Sequence, residues 1–294
     1  MSSKSEYLID AHQHVWITSE REYSWITDDV KSYFDKDFTH DQVSGSINKF
    51  GITGTIYVQA ADTYDDTFAM FESASRFPNI VGIVGWVPLD KPKETQIALD
   101  IFTQSVPSRD LYKGVRNLTH DYSNPKYQSD DAWILRENVI ASIREVVARD
   151  LSIDYVAIKP EHTKSITSLA HLFPTLRIIV DHFAKPDIKN HQWGDWASAM
   201  KELSLCPNVF TKFSGLNVLS DWQTWTVADW KPYLDECMSL FGSERIMMGS
   251  DWPFCTMANG FEEVWNAQLE AISQFSKSEQ ENLRFRTATR AYDL

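Results

Sequence analysis

Residues 7–14 read Tyr7-Leu8-Ile9-Asp10-Ala11-His12-Gln13-His14, an apolar, strand-like run that ends in two histidines one residue apart. Seven more short runs rich in β-branched and aromatic residues follow, at 53–59, 80–87, 112–117, 152–158, 177–181, 209–213 and 245–249. Between most of them apolar residues recur with helical spacing, over 65–76, 93–104, 131–149, 166–172, 193–205, 231–241 and 261–275. Eight near-continuous apolar strands separated by helical crossovers in 294 residues predict an α/β chain folded as a (β/α)8 TIM barrel, with a doubly wound open sheet as the alternative. No Pro/Gly/Ser linker, low-complexity tract or block of like charge divides the chain, so residues 1–294 are read as a single barrel domain.

A barrel of this type carries its chemistry at the C-terminal ends of the strands and in the loops beyond them. The polar residues collect there. His12 and His14 end the first strand, Arg116 the fourth, Asp181 and His182 the sixth and Lys212 the seventh, and Asp251 follows the eighth.

His12 and His14 stand at i and i+2 of a strand, so both imidazoles can reach one point in the barrel mouth, where such a pair can hold a metal or bind a developing oxyanion. Seen alone, the pair could equally be two polar residues decorating a strand end. Asp10 shares their face and could orient a histidine. In Met247-Met248-Gly249-Ser250-Asp251-Trp252-Pro253 the aspartate directly follows an apolar strand that Pro253 ends. A carboxylate held there can act as a general base on water or as a metal ligand, although Asp before an aromatic residue and Pro is also ordinary turn chemistry. At strand 6, either Asp181 or His182 could face inward. Strands 1, 6 and 8 thus each deliver His or Asp to the same end of one barrel.

The composition narrows the partners. There are 41 acidic and 28 basic residues, a net charge of −13, the wrong sign for a surface that binds nucleic acid or anionic lipid. Cys206, Cys237 and Cys255 form no CxxC pair, so neither a disulfide framework nor a Cys-based zinc site is expected, and a cytoplasmic setting follows. The first ten residues lack an apolar signal core, and the longest apolar run, 81–89, is too short to span a membrane. A homo-oligomer stays open. GxSxG and phosphate-cradling glycine loops are both missing, which leaves serine-hydrolase and nucleotide chemistry without support.

Taken together, IDAHQHVW, GVRN, LSIDYVAIKPEH, DHFAKP, KFSGL and MMGSDWPF resemble the amidohydrolase superfamily, in the branch of the fuconolactonases, rhamnonolactonases and 2-pyrone-4,6-dicarboxylate lactonases. That resemblance implies a barrel that hydrolyses lactones, with Asp251 as general base, and His12, His14 and His182 polarising the lactone carbonyl directly or through one divalent ion. The DHxGKP pattern is altered here at Ala184, which is acceptable only if that backbone does not require positive φ. Binuclear members need a Lys or Glu ending strand 4 and a His ending strand 5; here those ends are Arg116 and Ile158-Lys159-Pro160, so no binuclear centre is expected. The cofactor is either none or one zinc-like ion on His12, His14 and Asp251. His162 is read as a surface histidine, and His40, His120, His171 and His191 as structural.

Charge bears on the substrate. A pyrone dicarboxylate needs two well-placed cations, whereas only Arg116 is in view and residues 217–243 hold no Arg. The same stretch holds Trp222, Trp225 and Trp230, whose flat rings suit the C–H faces of a sugar. The expected substrate is therefore a neutral aldonolactone such as a fucono-, rhamnono- or galactono-lactone, bound by Arg116, Trp25, Trp86, Lys212 and Trp222. The alternatives are a pyrone-dicarboxylate lactonase and a metal-dependent decarboxylase of the same superfamily.

Overall fold

The computed structural model describes residues 7–128 and 130–294. Its strands are β1 (Ile9–Gln13), β2 (Gly54–Val58), β3 (Ile80–Gly85), β4 (Tyr112–Arg116), β5 (Ser152–Tyr155), β6 (Ile178–Val180), β7 (Val209–Phe213) and β8 (Ile246–Met248). They are parallel and pair in sequence order. The ring closes where His14 N donates to Trp252 O at 2.7 Å and Asp251 N donates to His12 O at 2.9 Å. At Gly249 a Cβ would stand 2.9 Å from both the Cβ and the backbone nitrogen of His12, so β8 approaches β1 this closely only because the residue is glycine. Closure removes the open-sheet alternative.

The helices are α1 (Lys31–Phe34), α2 (His40–Phe50), α3 (Tyr64–Arg76), α4 (Pro92–Asp100), α5 (Glu137–Ala148), α6 (Pro160–Leu172), α7 (Gly194–Ser204), α8 (Leu216–Leu219), α9 (Val227–Phe241), α10 (Phe261–Ile272), α11 (Lys277–Glu281) and α12 (Thr287–Tyr292). Helix α2 lies outside the predicted set, although its start is written in the sequence: Thr39 and Gln42 form a capping box, with Thr39 N donating to Gln42 Oε1 at 2.9 Å. Helix α6 begins six residues before the predicted start, with Pro160 in the first turn, where its missing N–H costs no hydrogen bond. The predicted helix over 93–104 is α-helical only to Asp100 and then widens into one π turn, Ile101–Ser105.

The two ends of the barrel are built differently. Ala288, Ala291 and Tyr292 of α12 join Ile9, Ala11, Ile56, Val58, Val84, Ile179 and Met247 in one buried apolar cluster. Two contacts place α12 at the N-terminal ends of the strands: Thr287 Oγ1 donates to Ser243 O just before β8, and Lys113 near the start of β4 donates to Asp293 O. At the opposite end the strands present buried polar side chains. Among the described residues no helix is long and apolar enough to cross a membrane. The reading of the extreme N-terminus rests largely on residues 1–6, which lie outside the described residues.

Candidate active site

The C-terminal ends of the strands surround a cavity of about 380 Å³. His14, Arg116, His182 and Asp251 all line it. The Nε2 atoms of His12 and His14 lie 3.1 Å apart, as the i, i+2 spacing of the strand requires. His14 Nδ1 stands 2.7 Å from Val58 O; a carbonyl can only accept, so the proton is on Nδ1 and Nε2 is bare. His182 is held through Nδ1 by Ser214 Oγ at 2.8 Å.

Asp251 Oδ1 faces this group, 3.6 Å from His14 Nε2, 3.8 Å from His12 Nε2 and 4.0 Å from His182 Nε2. It is buried and has no hydrogen-bond partner. Burial works to raise the Asp251 carboxyl, but His182, His14 and Lys185 outweigh it and hold it below the ordinary carboxylate range. Burial also lowers all three histidines, His182 to about 4 and His12 well below its ordinary value. At neutral pH an ionised carboxylate therefore looks across the cavity floor at three neutral imidazoles.

Unusual backbone aims these groups. Asp251 has φ of 56°, and His182, Phe183, Ala184 and Lys185 have φ of 53°, 50°, 57° and 50°. Ala184 therefore does sit at positive φ, contrary to the condition set by its sequence, because the chain turns out of β6 through four consecutive left-handed residues. Each non-glycine residue there costs about 1–2 kcal/mol, and such strain often marks functional sites. Gly215, with φ of 67°, faces the same centre: a Cβ would lie 2.8 Å from His182 Nδ1 and 2.9 Å from Asp251 Oδ2.

Other expected residues are placed differently. Lys212 does not line the cavity; it is fully buried below the histidines, with Nζ 2.5 Å from Asp154 Oδ2, 3.0 Å from Asp181 Oδ1 and 2.9 Å from His12 Nδ1. Arg116 is already engaged, donating from Nη1 to Asp181 Oδ2 at 3.1 Å and from Nη2 to Gln59 O at 2.6 Å. Asp10 orients no imidazole ring; its Oδ1 accepts from Ser250 N at 2.8 Å and His12 N at 3.2 Å and so ties β1 to the segment after β8.

Of the tryptophans, Trp25 lines the cavity, with Nε1 donating to Ala60 O at 2.7 Å and its ring 5.1 Å from that of Phe254. Trp86 instead packs on Tyr64, and Trp222 lies at the surface against Tyr33. Trp225 stacks on the buried Trp230. The segment after β7 lines the cavity with Gly215, Val218 and Leu219 and with none of its tryptophans, and the aromatic side chains at the cavity include Trp25, Tyr122 and Phe254.

Sequence reasoning passed over several lining residues. His120, Asp121, Tyr122 and Ser123 after β4 face the cavity, as does Lys185 after β6. The signal for Lys185 was its place in DHFAKP; His120 and its neighbours had only their position beyond a strand end. His162, expected at the surface, is buried with Nε2 3.0 Å from Tyr122 Oη.

His12, His14 and Asp251 offer ligand atoms within 4.8 Å of one another, and with the unpartnered Asp251 Oδ1 they fit one divalent ion in type and spacing. A second group, His12, Asp181 and His182, shares His12 with the first. Lys212 Nζ lies 2.9 Å from His12 Nδ1 and 3.0 Å from Asp181 Oδ1 of that second group.

A (β/α)8 barrel whose strand ends set an ionised, unpartnered carboxylate among neutral histidines is the layout of an enzyme that activates water. Residues 9–294 match the amidohydrolase family, and the chain belongs to that family. It is 32% identical over 273 residues to an L-fucono-1,5-lactonase of Burkholderia ambifaria, covering 90% of this chain and 87% of that protein. Its fold superposes on an amidohydrolase from Burkholderia multivorans crystallised with bound zinc, with a TM-score of 0.87, 25% identity and coverage of 98% and 99%. A structure of a probable 2-pyrone-4,6-dicarboxylic acid hydrolase from Acinetobacter baumannii, with citric acid bound, shares the fold at a TM-score of 0.72 and 16% identity over 98% and 99% of the two chains.

Proposed function

We propose that this enzyme hydrolyses the lactone of a neutral sugar acid, with L-fucono-1,5-lactone or a close relative as substrate. The observation that carries the reaction type is Asp251 Oδ1, buried, ionised and unpartnered at the floor of the cavity. Asp251 takes a proton from water, and the resulting hydroxide adds to the lactone carbonyl carbon. The oxyanion forms beside the group His12, His14 and His182, and its N–H donor is His182 Nε2, which carries the ring proton when Ser214 Oγ donates to Nδ1. Collapse breaks the bond from the carbonyl carbon to the ring oxygen, and Asp251 returns its proton to that oxygen as it leaves, so the product is the open hydroxy acid. A divalent ion held by His12, His14 and Asp251 would supply Lewis-acid polarisation of the same carbonyl.

Charge supports a neutral ring. Arg116 and Lys185 line the cavity with Asp121 and Asp251, two charges of each sign. Arg116 is committed to Asp181 and Gln59, and Asp121 accepts from Ser24 Oγ at 2.9 Å and Ser123 N at 3.0 Å. Lys185 and the remaining donors of Arg116 face a lining whose charge is offset by Asp121 and Asp251, so the cavity has no net positive charge to match a dicarboxylate. The three cysteines are free and buried, which suits a reducing cytoplasm.

The test is a panel of aldonolactones set against 2-pyrone-4,6-dicarboxylate, with metal analysis of the same protein. Saturable opening of the sugar lactones supports the proposal. Preferential hydrolysis of the dicarboxylate overturns the charge argument, and release of CO2 from an aromatic acid with no lactone turnover overturns the reaction type.

A further inference from the structure

Lys212 is a buried lysine with no place in the reaction as drawn above. Its ammonium carries three N–H donors and cannot accept. Three groups surround it: Asp154 Oδ2 at 2.5 Å, Asp181 Oδ1 at 3.0 Å and His12 Nδ1 at 2.9 Å. Asp154 is fixed in turn by Tyr292, whose hydroxyl donates to the same Oδ2 at 2.7 Å, and the ammonium lies 5.5 Å from the centre of the Tyr292 ring. Lys212 is thereby pinned between the barrel floor and the catalytic histidines.

A protonated Nδ1 on His12 would set two donors against each other at 2.9 Å. The contact is a hydrogen bond only if Nδ1 is bare, and a neutral imidazole then carries its proton on Nε2. We infer that Lys212 is a positioning residue that holds His12 as the Nε2–H tautomer, so that His12, buried beneath the cavity, donates to His14 Nε2 and fixes the orientation of that ring. His14 agrees with this assignment from the other side. Its Nε2 is bare because Nδ1 donates to Val58 O, and it accepts from His12 Nε2 at 3.1 Å. One directional chain runs from Lys212 through His12 and His14 to Val58. An ion bound through His12 Nε2 would have to displace the proton that Lys212 places there.

The kinetic part of this inference rests on the lactonase proposal; the tautomer does not. The experiment is nitrogen-15 NMR of histidine-labelled, chelator-treated protein, with His12 assigned by a His12→Gln variant. Lys212→Met and Lys212→Met/Asp154→Asn are measured alongside. The double variant removes one charge of each sign and leaves Asp181 its Arg116 partner. The wild type is expected to show a protonated Nε2 and a bare Nδ1 at His12. In the double variant the proton is expected to move to Nδ1, toward Asp181 Oδ1 at 3.3 Å, and kcat to fall about 10-fold with KM little changed, as His12 no longer orients His14. A protonated Nδ1 in the wild type overturns the inference. So does a folded double variant that keeps both the Nε2 proton and full kcat. Should neither variant fold, the wild-type spectrum alone decides. A wild type without lactone turnover but with the expected spectrum would sink the lactonase proposal and leave this assignment standing.

Discussion

The two ends of the barrel are made from the same eight strands and could hardly differ more. At the N-terminal end, α12 lays Ala288, Ala291 and Tyr292 over Ile9, Ile56, Val84, Ile179 and Met247. At the C-terminal end the same strands run into His12, Arg116, Asp181, Lys212 and Asp251, all buried. Burial lowers free energy in the first layer through the hydrophobic effect, and costs free energy in the second unless each charge finds a partner. Among the described residues Asp154 Oδ1, Asp181 Oδ1 and Asp251 Oδ1 are buried without a hydrogen bond, and of these three aspartates it is Asp251, proposed to meet water, that lines the cavity. Stability and chemistry are thus divided along the barrel axis, and substitutions at the two ends should register on different instruments.

The largest expected effect is at the polar end. Asp251→Asn keeps the shape and removes the base, so lactone turnover should drop about 10³-fold with an unchanged melting temperature. Near-normal turnover would remove the division of labour altogether. Gly215→Ala comes next, since its Cβ would press on both His182 and Asp251 from a left-handed backbone position. Displacing these groups is expected to cost about 10²-fold in kcat.

Tyr292→Phe tests the other end. It withdraws a donor from buried Asp154 and should lower stability by about 1–3 kcal/mol in a denaturant titration. Its effect on kcat should be far smaller than that of Gly215→Ala. A larger kinetic than thermodynamic effect would show that the floor of the barrel acts on the site more strongly than the division allows.

Ala184→Gly relieves a left-handed alanine in the turn after β6 and should raise stability by about 1 kcal/mol without changing KM. The smallest effect belongs to Trp222→Ala, which should leave KM within about twofold because the ring lies on the surface, away from the cavity. Trp25→Ala, at the cavity wall, is expected to raise KM in the same assay.

The sequence disclosed the strands and what their ends carry, because both follow from local pattern. β-branched runs mark strands buried on both faces, and the residue that ends each run must stand at the mouth. That logic reached His12, His14, Arg116, His182 and Asp251, all now around one centre. It failed where position depends on how a loop folds back. Trp222, Trp225 and Trp230 lie close together in sequence beyond β7, yet none lines the cavity. Trp25, in the long β1–β2 connection, does line it. Lys212 failed for another reason: alternation along β7 turned it inward, but Asp154 and Asp181 on neighbouring strands draw its ammonium below the cavity. His120 was missed because a single loop histidine carries no spacing from which a partner could be inferred.

The central claim is that Asp251 drives the opening of a neutral sugar lactone. It is tested most directly by following acid release from L-fucono-1,5-lactone with wild type and Asp251→Asn purified in parallel. The expected result is saturable turnover by the wild type and a rate about 10³-fold lower for the folded variant. Equal rates for the two proteins, or no wild-type rate above the spontaneous one, would contradict it.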